Sequence, residues 1–201
     1  MSKCGHLELI LGPMFAGKST YLLTRLSTYF VKPSDILLIA SERDDRKGDQ
    51  FGRVSSLTVH SKIFRDSEIP YIKVDQDLMS LKKSVYQDYK YIGMDEAQFF
   101  KNLLPFTLRL LKEGKIVLVS GLSSTSEGKP FGELFSLIPF ADDVKMLKSR
   151  CSVCIKEDQV FPCPENATLS YCLLEKQSDV LIGGKDTYLP LCRKHWIEFK
   201  K

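Results

Sequence analysis

Gly12-Pro13-Met14-Phe15-Ala16-Gly17-Lys18-Ser19 is the stretch that decides the fold of this chain. It fits G-x-x-x-x-G-K-[ST], a pattern in which a glycine-rich loop cradles phosphate. The glycines let the backbone wrap so that its N–H groups point inward. Those groups and the N-terminus of the following helix form an anion site. Lys18 adds positive charge for the β- and γ-phosphates, and the Ser19 hydroxyl is a ligand for Mg²⁺. Such a pattern also arises by chance, so its surroundings decide. Before it, Leu7-Glu8-Leu9-Ile10-Leu11 is a short apolar run that reads as a strand. After it, Leu22, Leu23, Leu26 and Phe30 recur at helical spacing from Ser19 to Phe30. Strand, loop and helix in that order is the context phosphate binding requires.

Working outward, Pro33-Ser34 breaks the helix and Ile36-Leu37-Leu38-Ile39-Ala40 reads as a second buried strand. Residues 43–53 are polar and glycine-containing and read as a loop. A weaker strand is expected at Tyr71-Ile72-Lys73-Val74, a helix over 76–86, and a strand from Tyr89 to Met94. A helix from Asn102 to Lys112 follows, with Gly114 just past its end, and then a strand over Lys115-Ile116-Val117-Leu118-Val119. Continuously apolar strands alternating with helices indicate an α/β fold with a parallel sheet covered on both faces. Near residue 150 cysteine, proline and glycine take over and helical periodicity ends. The expected organisation is an ATP-binding α/β domain over residues 1–150 and a small appendage over 151–201.

Composition narrows the class of protein. The chain has 201 residues, 43% hydrophobic and 27% charged, with a net charge of +4. That balance is ordinary for a globular protein and excludes a disordered one. The mild basic excess suits a nucleotide without demanding DNA or RNA. No apolar stretch is long enough to span a membrane, and the first strand begins too early to leave room for a signal peptide. A cytoplasmic, reducing setting is therefore expected, in which the six cysteines are metal ligands or buried thiols and not disulfides.

Two further constellations carry chemistry. Asp95-Glu96 follows the strand Tyr91-Ile92-Gly93-Met94. In a phosphate-loop protein an acidic residue at such a strand end orders Mg²⁺ through water. Its neighbour is then available to take a proton from a substrate hydroxyl. Read alone, either carboxylate would pass for a helix cap or a surface charge. Cys151-Ser152-Val153-Cys154 and Cys192-Arg193-Lys194-His195 are two C-x₂-[CH] knuckles, which together supply the four ligands of a closed, structural zinc site. The gap between them, residues 155–191, exceeds the usual ribbon spacing and implies an inserted loop. Cys163 and Cys172 are alternative ligands, and Cys4 reads as a plain thiol.

Taken together, these segments resemble the zinc-containing, cytosolic type of thymidine kinase. The similarity spans residues 6–199 and rests on four segments. They are Gly12 to Thr20, Asp95-Glu96-Ala97-Gln98-Phe99-Phe100, Lys129-Pro130-Phe131-Gly132 and Ile182-Gly183-Gly184. The resemblance implies a RecA-like sheet joined to a zinc-ribbon subdomain whose long lasso loop closes over the nucleoside. It implies that Glu96 is the general base and that Asp95 organises Mg²⁺. The loop residues Gly12 to Thr20, Arg46 and Gln98 would serve the nucleotide. Met14, Phe99, Leu122 and Phe131 would line the nucleoside pocket, with Leu181, Ile182, Gly183 and Tyr188 in or near the lasso. ATP and thymidine are the implied substrates. The family's habits imply a homotetramer and feedback inhibition by thymidine triphosphate, with no nucleic-acid or membrane partner.

Three positions depart from the family pattern. Leu122-Ser123-Ser124-Thr125-Ser126 stands where relatives commonly read Leu-Asp-Gly-Thr-Phe, so an aromatic wall is missing at Ser126. His195 stands where relatives often carry cysteine, and zinc accepts either. Phe161-Pro162 falls where relatives usually place a hydroxyl residue facing the base. By the same comparison, a C-terminal regulatory tail of the kind some relatives carry is not expected here. Two other classes compete with the kinase reading. A nucleic-acid-dependent ATPase would need a basic, aromatic-studded strand groove, and the sequence has no such stretch. A non-catalytic zinc module would leave Lys18 and Glu96 without purpose.

Overall fold

Leu7, Leu9 and Leu11 pack to one side of the first strand and Ile10 to the other, and all four are buried. The same alternation recurs in every central strand, which is why each reads as continuously apolar. The computed structural model describes residues 4–29, 32–43, 69–156, 166–174, 183, 184 and 186–201. Within them, β1 (His6–Gly12), β2 (Ile36–Ser41), β3 (Tyr71–Val74), β4 (Tyr91–Met94), β5 (Ile116–Leu122) and β6 (Asp143–Met146) form a six-stranded sheet. Its order is β3-β2-β4-β5-β1-β6 and every pairing is parallel.

Each face is covered by a helix. On one side α1 (Lys18–Ser27) lays Leu22, Leu23 and Leu26 onto Ile10, Ile36, Leu38 and Leu118. On the other, α3 (Leu103–Lys112) sets Leu103, Phe106 and Leu110 against Leu9, Ile92, Val117 and Val119. Fully burying each such leucine is worth about 1.5–3 kcal/mol. Close approach of α1 depends on Gly93. A Cβ there would lie 2.6 Å from Leu38 Cδ2 and 3.2 Å from Leu26 Cδ1.

Two expectations need correction. Residues 76–86 do not form one helix. The Asp77 side chain accepts from the Met79 N–H at 2.9 Å and caps a single 3₁₀ turn, Leu78–Ser80. Leu81 is then extended, and only α2 (Lys83–Tyr86) is helical. The sheet also gains β6, which carries no apolar run because its four residues are exposed. Lys115 does not open β5. It is buried, and its Nζ donates to the carbonyls of Tyr86, Gln87 and Tyr89 at 3.0, 2.9 and 2.7 Å, closing the segment after α2. Burial holds that ammonium below the usual lysine range.

After β6 come β7 (Ser149–Arg150), α4 (Ser152–Lys156), β8 (Asn166–Ala167), β9 (Leu169–Cys172), β10 (Tyr188–Leu191) and α5 (Arg193–Phe199). β7 pairs antiparallel with β8, and β9 with β10. Cys151, Cys154, Ala167, Leu191 and Cys192 form a small core of their own there.

At the opposite end of β1 from the glycine loop lies a buried charge network. Glu8 is 3% exposed and takes Arg25 bidentately, Nε to Oε2 and Nη2 to Oε1, each at 2.7 Å. Tyr29 Oη adds a third bond at 2.6 Å, and His6 Nε2 lies 3.1 Å from Oε1. Burial pushes the Glu8 carboxyl up, but the bonds from Arg25, Tyr29 and His6, with the charge of Arg25, outweigh it and hold it at about 2. A carboxyl depressed on folding stabilises the folded state above its unfolded pKa, and that stability is lost as pH falls toward the folded value. Glu8→Gln is therefore expected to lower stability by roughly 2–3 kcal/mol at pH 7. In thermal melts of both proteins the difference should shrink between pH 5 and about 2, where wild-type Glu8 takes up its proton.

Candidate functional site

The register of the sheet brings the sequence-identified residues to one edge. Gly12 pairs with Leu122 in β5, and Met94, just before Asp95, pairs with Val119. Gly12 and Asp95 thus leave the sheet from strands on either side of β5. Ligand sites of open parallel sheets form at these carboxyl ends.

The glycine loop turns on two left-handed residues, Phe15 (φ 62°) and Gly17 (φ 77°), the second directly capping α1. The Ser123 N–H donates to Gly12 O at 3.1 Å and ties the loop to the end of β5. Lys18 is buried and its Nζ donates to Pro13 O at 2.8 Å, so it lies across the loop it closes. Pro13 and Ala16 complete the turn, and Thr20 stands in the first turn of α1, half-buried. Ser19 and Asp95 line one small cavity between α1 and the strand ends. The Asp95 Oδ1 accepts from the Ser120 hydroxyl and from the Glu96 N–H, the latter at 3.0 Å. The cavity wall is otherwise apolar, formed by Leu22, Leu23, Leu38, Ile39, Ala40 and Tyr71, so Ser19 and Asp95 are its polar rim.

Glu96 adopts φ 50°, a left-handed conformation unusual for a side-chain-bearing residue. Its carboxylate is held by Gln98, whose Nε2 donates to Glu96 Oε2 at 2.6 Å. The other end of the same amide, Oε1, accepts from the Leu122 N–H at 3.0 Å. An amide offers one acceptor end and one donor end, so the Leu122 N–H fixes which way Gln98 points. Two glycines make its slot. A Cβ at Gly121 would stand 2.7 Å from Gln98 Oε1, and one at Gly132 would collide with the Gln98 carbonyl. Gln98 therefore positions Glu96. Phe99 packs edge-to-face on Phe131 at 5.6 Å between centroids. Met14, Phe99, Leu122 and Phe131 are all half-buried, as the apolar walls of a pocket would be.

Cys151, Cys154, Cys192 and His195 are buried, with their ligand atoms all within 4.8 Å of one another. The three Sγ atoms stand 3.4, 3.4 and 3.3 Å from His195 Nδ1. Tetrahedral bonds of about 2.3 Å to sulfur and 2.0–2.1 Å to nitrogen place those atoms roughly 3.6 Å apart, so the set fits zinc. His195 Nε2 faces Glu198 Oε2 at 3.9 Å. Burial pushes the Cys151 thiol up, but amide bonds from Cys154, Cys192 and Val153 and the bond to His195 hold it down at about 6, toward the thiolate a metal takes.

Arg46, Leu181 and Ile182 lie outside the described residues, as do Cys163 and the Phe161-Pro162 pair. Gly183 and Tyr188 lie in the ribbon, where Tyr188 N donates to Gly184 O at 3.0 Å and faces Cys172 across the β9–β10 pair. Sequence reasoning missed Ser120, Ser170 and Trp196. Ser120 left a signal, a lone polar residue inside an apolar strand. Ser170 left none, yet its Oγ accepts from the Met14 N–H at 3.0 Å, joining the ribbon to the glycine loop.

A parallel sheet whose carboxyl edge joins a lysine-closed glycine loop to an acidic pair defines a phosphate-loop enzyme that acts on nucleotides. Within that class, the thymidine kinase family model matches residues 5–196, and the chain belongs to the thymidine kinase family. The thymidine kinase of Vaccinia virus (strain Western Reserve) is 35% identical over 194 residues, 96% of this chain and 98% of that protein. That of Monkeypox virus is 34% identical over 194 residues, with the same two shares. That of Rabbit fibroma virus (strain Kasza) is 33% identical over 190 residues, 94% and 95% of the two chains.

A metal on this cluster would tie the small ribbon core together, and loss of one cysteine would release it. Cys151→Ser is expected to drop bound metal from one ion per chain to a small fraction, measured by atomic absorption. Proteolysis should then speed up selectively after residue 150.

Proposed function

We propose that this chain transfers the γ-phosphoryl group of ATP to the 5′-hydroxyl of thymidine, and of deoxyuridine, giving the 5′-monophosphates. The observation that carries the reading is the register that sets the Gly12 loop and Asp95-Glu96 along one sheet edge, in a chain matched by the thymidine kinase family over residues 5–196. The loop amides and Lys18 hold the triphosphate, joined by Arg46. Ser19 and Asp95 would hold Mg²⁺, which supplies neutralising charge at the β- and γ-oxygens. The 5′-oxygen attacks the γ-phosphorus in line as the bond to the β-bridging oxygen breaks, and Glu96 takes the hydroxyl proton. Gln98 keeps that carboxylate aimed. Most of the rate gain comes from positioning and electrostatics.

Met14, Phe99, Leu122 and Phe131 wall the nucleoside, and the lasso with Leu181, Ile182, Gly183 and Tyr188 reads the base with main-chain groups. Zinc on Cys151, Cys154, Cys192 and His195 is structural, because four protein ligands leave no open position. Three thiol ligands suit a reducing compartment, the cytoplasm. Among the described residues no helix is long and apolar enough to cross a membrane. Thymidine triphosphate would inhibit by occupying the nucleoside site. A homotetramer is part of this reading, and apolar side chains are available to it. Val144 and Met146 are exposed on the edge strand β6, and Phe135, Ile138 and Phe140 are exposed in the 3₁₀ segment Leu134–Phe140 that precedes it.

Glu96→Gln keeps shape and removes the proton acceptor, so kcat should fall about 10²–10⁴-fold with KM nearly unchanged. A variant with wild-type kcat would remove Glu96 from the chemistry.

Base selection follows from hydrogen-bond polarity. Thymine and uracil present an N3–H donor and an O4 acceptor, whereas cytosine presents the reverse. Backbone groups cannot swap roles, so deoxycytidine leaves two buried groups facing like partners, each costing about 1–3 kcal/mol. Its kcat/KM should be roughly 10²–10⁴-fold below that of thymidine. Deoxyuridine lacks one methyl group and should lose no more than about tenfold. The test is turnover of the three nucleosides at saturating ATP. ATP turnover that requires single-stranded DNA and leaves thymidine unphosphorylated would overturn the kinase reading.

A further inference from the structure

The loop from Ser123 to Gly132 joins two walls of the proposed nucleoside pocket, leaving β5 at Leu122 and returning at Phe131. Its tip is a tight turn, with Thr125 N donating to Lys129 O at 2.9 Å and Gly128 N to Thr125 O at 3.0 Å. That turn is held to the ribbon through α5, chiefly by one indole. Trp196 follows the ligand His195 directly in α5, and its Nε1 donates at 3.2 Å both to Ser126 O in the turn and to Ser170 O in β9. The same Ser170 holds the Met14 amide through its hydroxyl. Gly128, at φ 75°, sits over the indole, where an added Cβ would meet Cη2 and Cζ2 at 3.5 and 3.6 Å. Lys200 Nζ lies over the indole, 5.4 Å from the ring centroid, and pairs with Glu127 of the turn.

Resting on the thymidine kinase reading above, we infer that Trp196 is a positioning residue for the nucleoside, clamping the 123–132 loop to the metal ribbon. One indole N–H shared by two carbonyls from segments distant in sequence sets their spacing. The rigid ribbon thereby holds the loop that carries Phe131 onto Phe99. Trp196 itself bonds neither the glycine loop nor Glu96, and Ser170 keeps its separate hydroxyl bond to the Met14 amide when the indole N–H is removed. Its loss loosens the nucleoside wall without changing the phosphoryl-transfer step.

Trp196 is the single tryptophan of the chain, so the clamp reports on itself. Two measurements test it. The first is steady-state kinetics of Trp196→Phe, which keeps a ring beneath Gly128 and removes the N–H. The thymidine KM should rise about 3–10-fold, with kcat and the ATP KM within twofold of wild type and metal content still one ion per chain. General loss of folded protein would lower kcat and leave the thymidine KM in place. The second is the intrinsic fluorescence of the wild type. Thymidine should shift the emission with a saturation curve matching its KM, and ATP alone should not. Wild-type emission indifferent to saturating thymidine overturns the inference even if Trp196→Phe fails to fold. So does a thymidine KM within twofold of wild type in the folded, metal-loaded variant. A wild-type protein that leaves thymidine unphosphorylated overturns the function itself, an outcome distinct from either.

Discussion

Seven consecutive residues of β1 pair in parallel with seven of β5, from His6 opposite Ile116 to Gly12 opposite Leu122. This register is the constraint on which the site depends. A parallel ladder shifted by one residue would turn every side chain of β1 to the wrong face, placing Leu7, Leu9 and Leu11 under α1 and Glu8 in the larger core. The cost of exposing or misplacing those leucines, about 1.5–3 kcal/mol each, fixes the alignment. With it fixed, Gly12 stands level with Leu122 and close to the exit of β4. The glycine loop, Asp95, Glu96 and the Gln98 bridge meet because the strands cannot slide. Stability and chemistry sit at opposite ends of the same strand, with Glu8–Arg25 anchoring one and Lys18 closing the other.

The parts that sequence made visible are those whose cause is local. Apolar spacing at Leu22, Leu23 and Leu26 is enough to identify α1, and the double-sided burial of β1, β2, β4 and β5 writes itself as unbroken apolar runs. The glycine loop and the cysteine knuckles are legible because phosphate wrapping and metal ligation impose residue types at fixed spacing whatever the surrounding fold. Residues 76–86 misled because Asp77 competes for the Met79 amide, a side-chain bond that apolar periodicity does not register. β6 was invisible because a strand exposed at a sheet edge needs no apolar pattern. The bridge from Gln98 to Leu122 and the reach of Trp196 to Ser126 depend on which distant segments become neighbours. No spacing within the chain encodes that.

The ribbon is tied to the α/β sheet at more than one point. Besides the indole bonds, Ser170 holds the Met14 amide and the Ser149 hydroxyl donates to Phe15 O at 3.2 Å. These contacts fall on the glycine loop itself. Among the described residues the ribbon has two short antiparallel pairs and a core of five buried residues, little to hold such positions alone. Below about 40 residues a fold usually needs a metal or a disulfide. A metal on the Cys₃His cluster would supply that stiffness, and the bonds of Ser149, Ser170 and Trp196 connect the ribbon to the glycine loop and the 123–132 turn.

The left-handed backbone of Glu96 has an evolutionary consequence. A side-chain-bearing residue at φ 50° costs about 1–2 kcal/mol relative to glycine, which occupies that conformation without strain. Glycine at position 96 would relax the chain and forfeit the carboxylate. With Glu96 in the proton-accepting role proposed above, selection for heat tolerance and selection for turnover would pull this one position in opposite directions. The fold can absorb the strain because the Gln98 amide, the buried end of β4 and the Asp95–Ser120 bond surround it. Drift in those neighbours would be felt first at this turn, so the margin of stability in the sheet sets how much strain position 96 can carry.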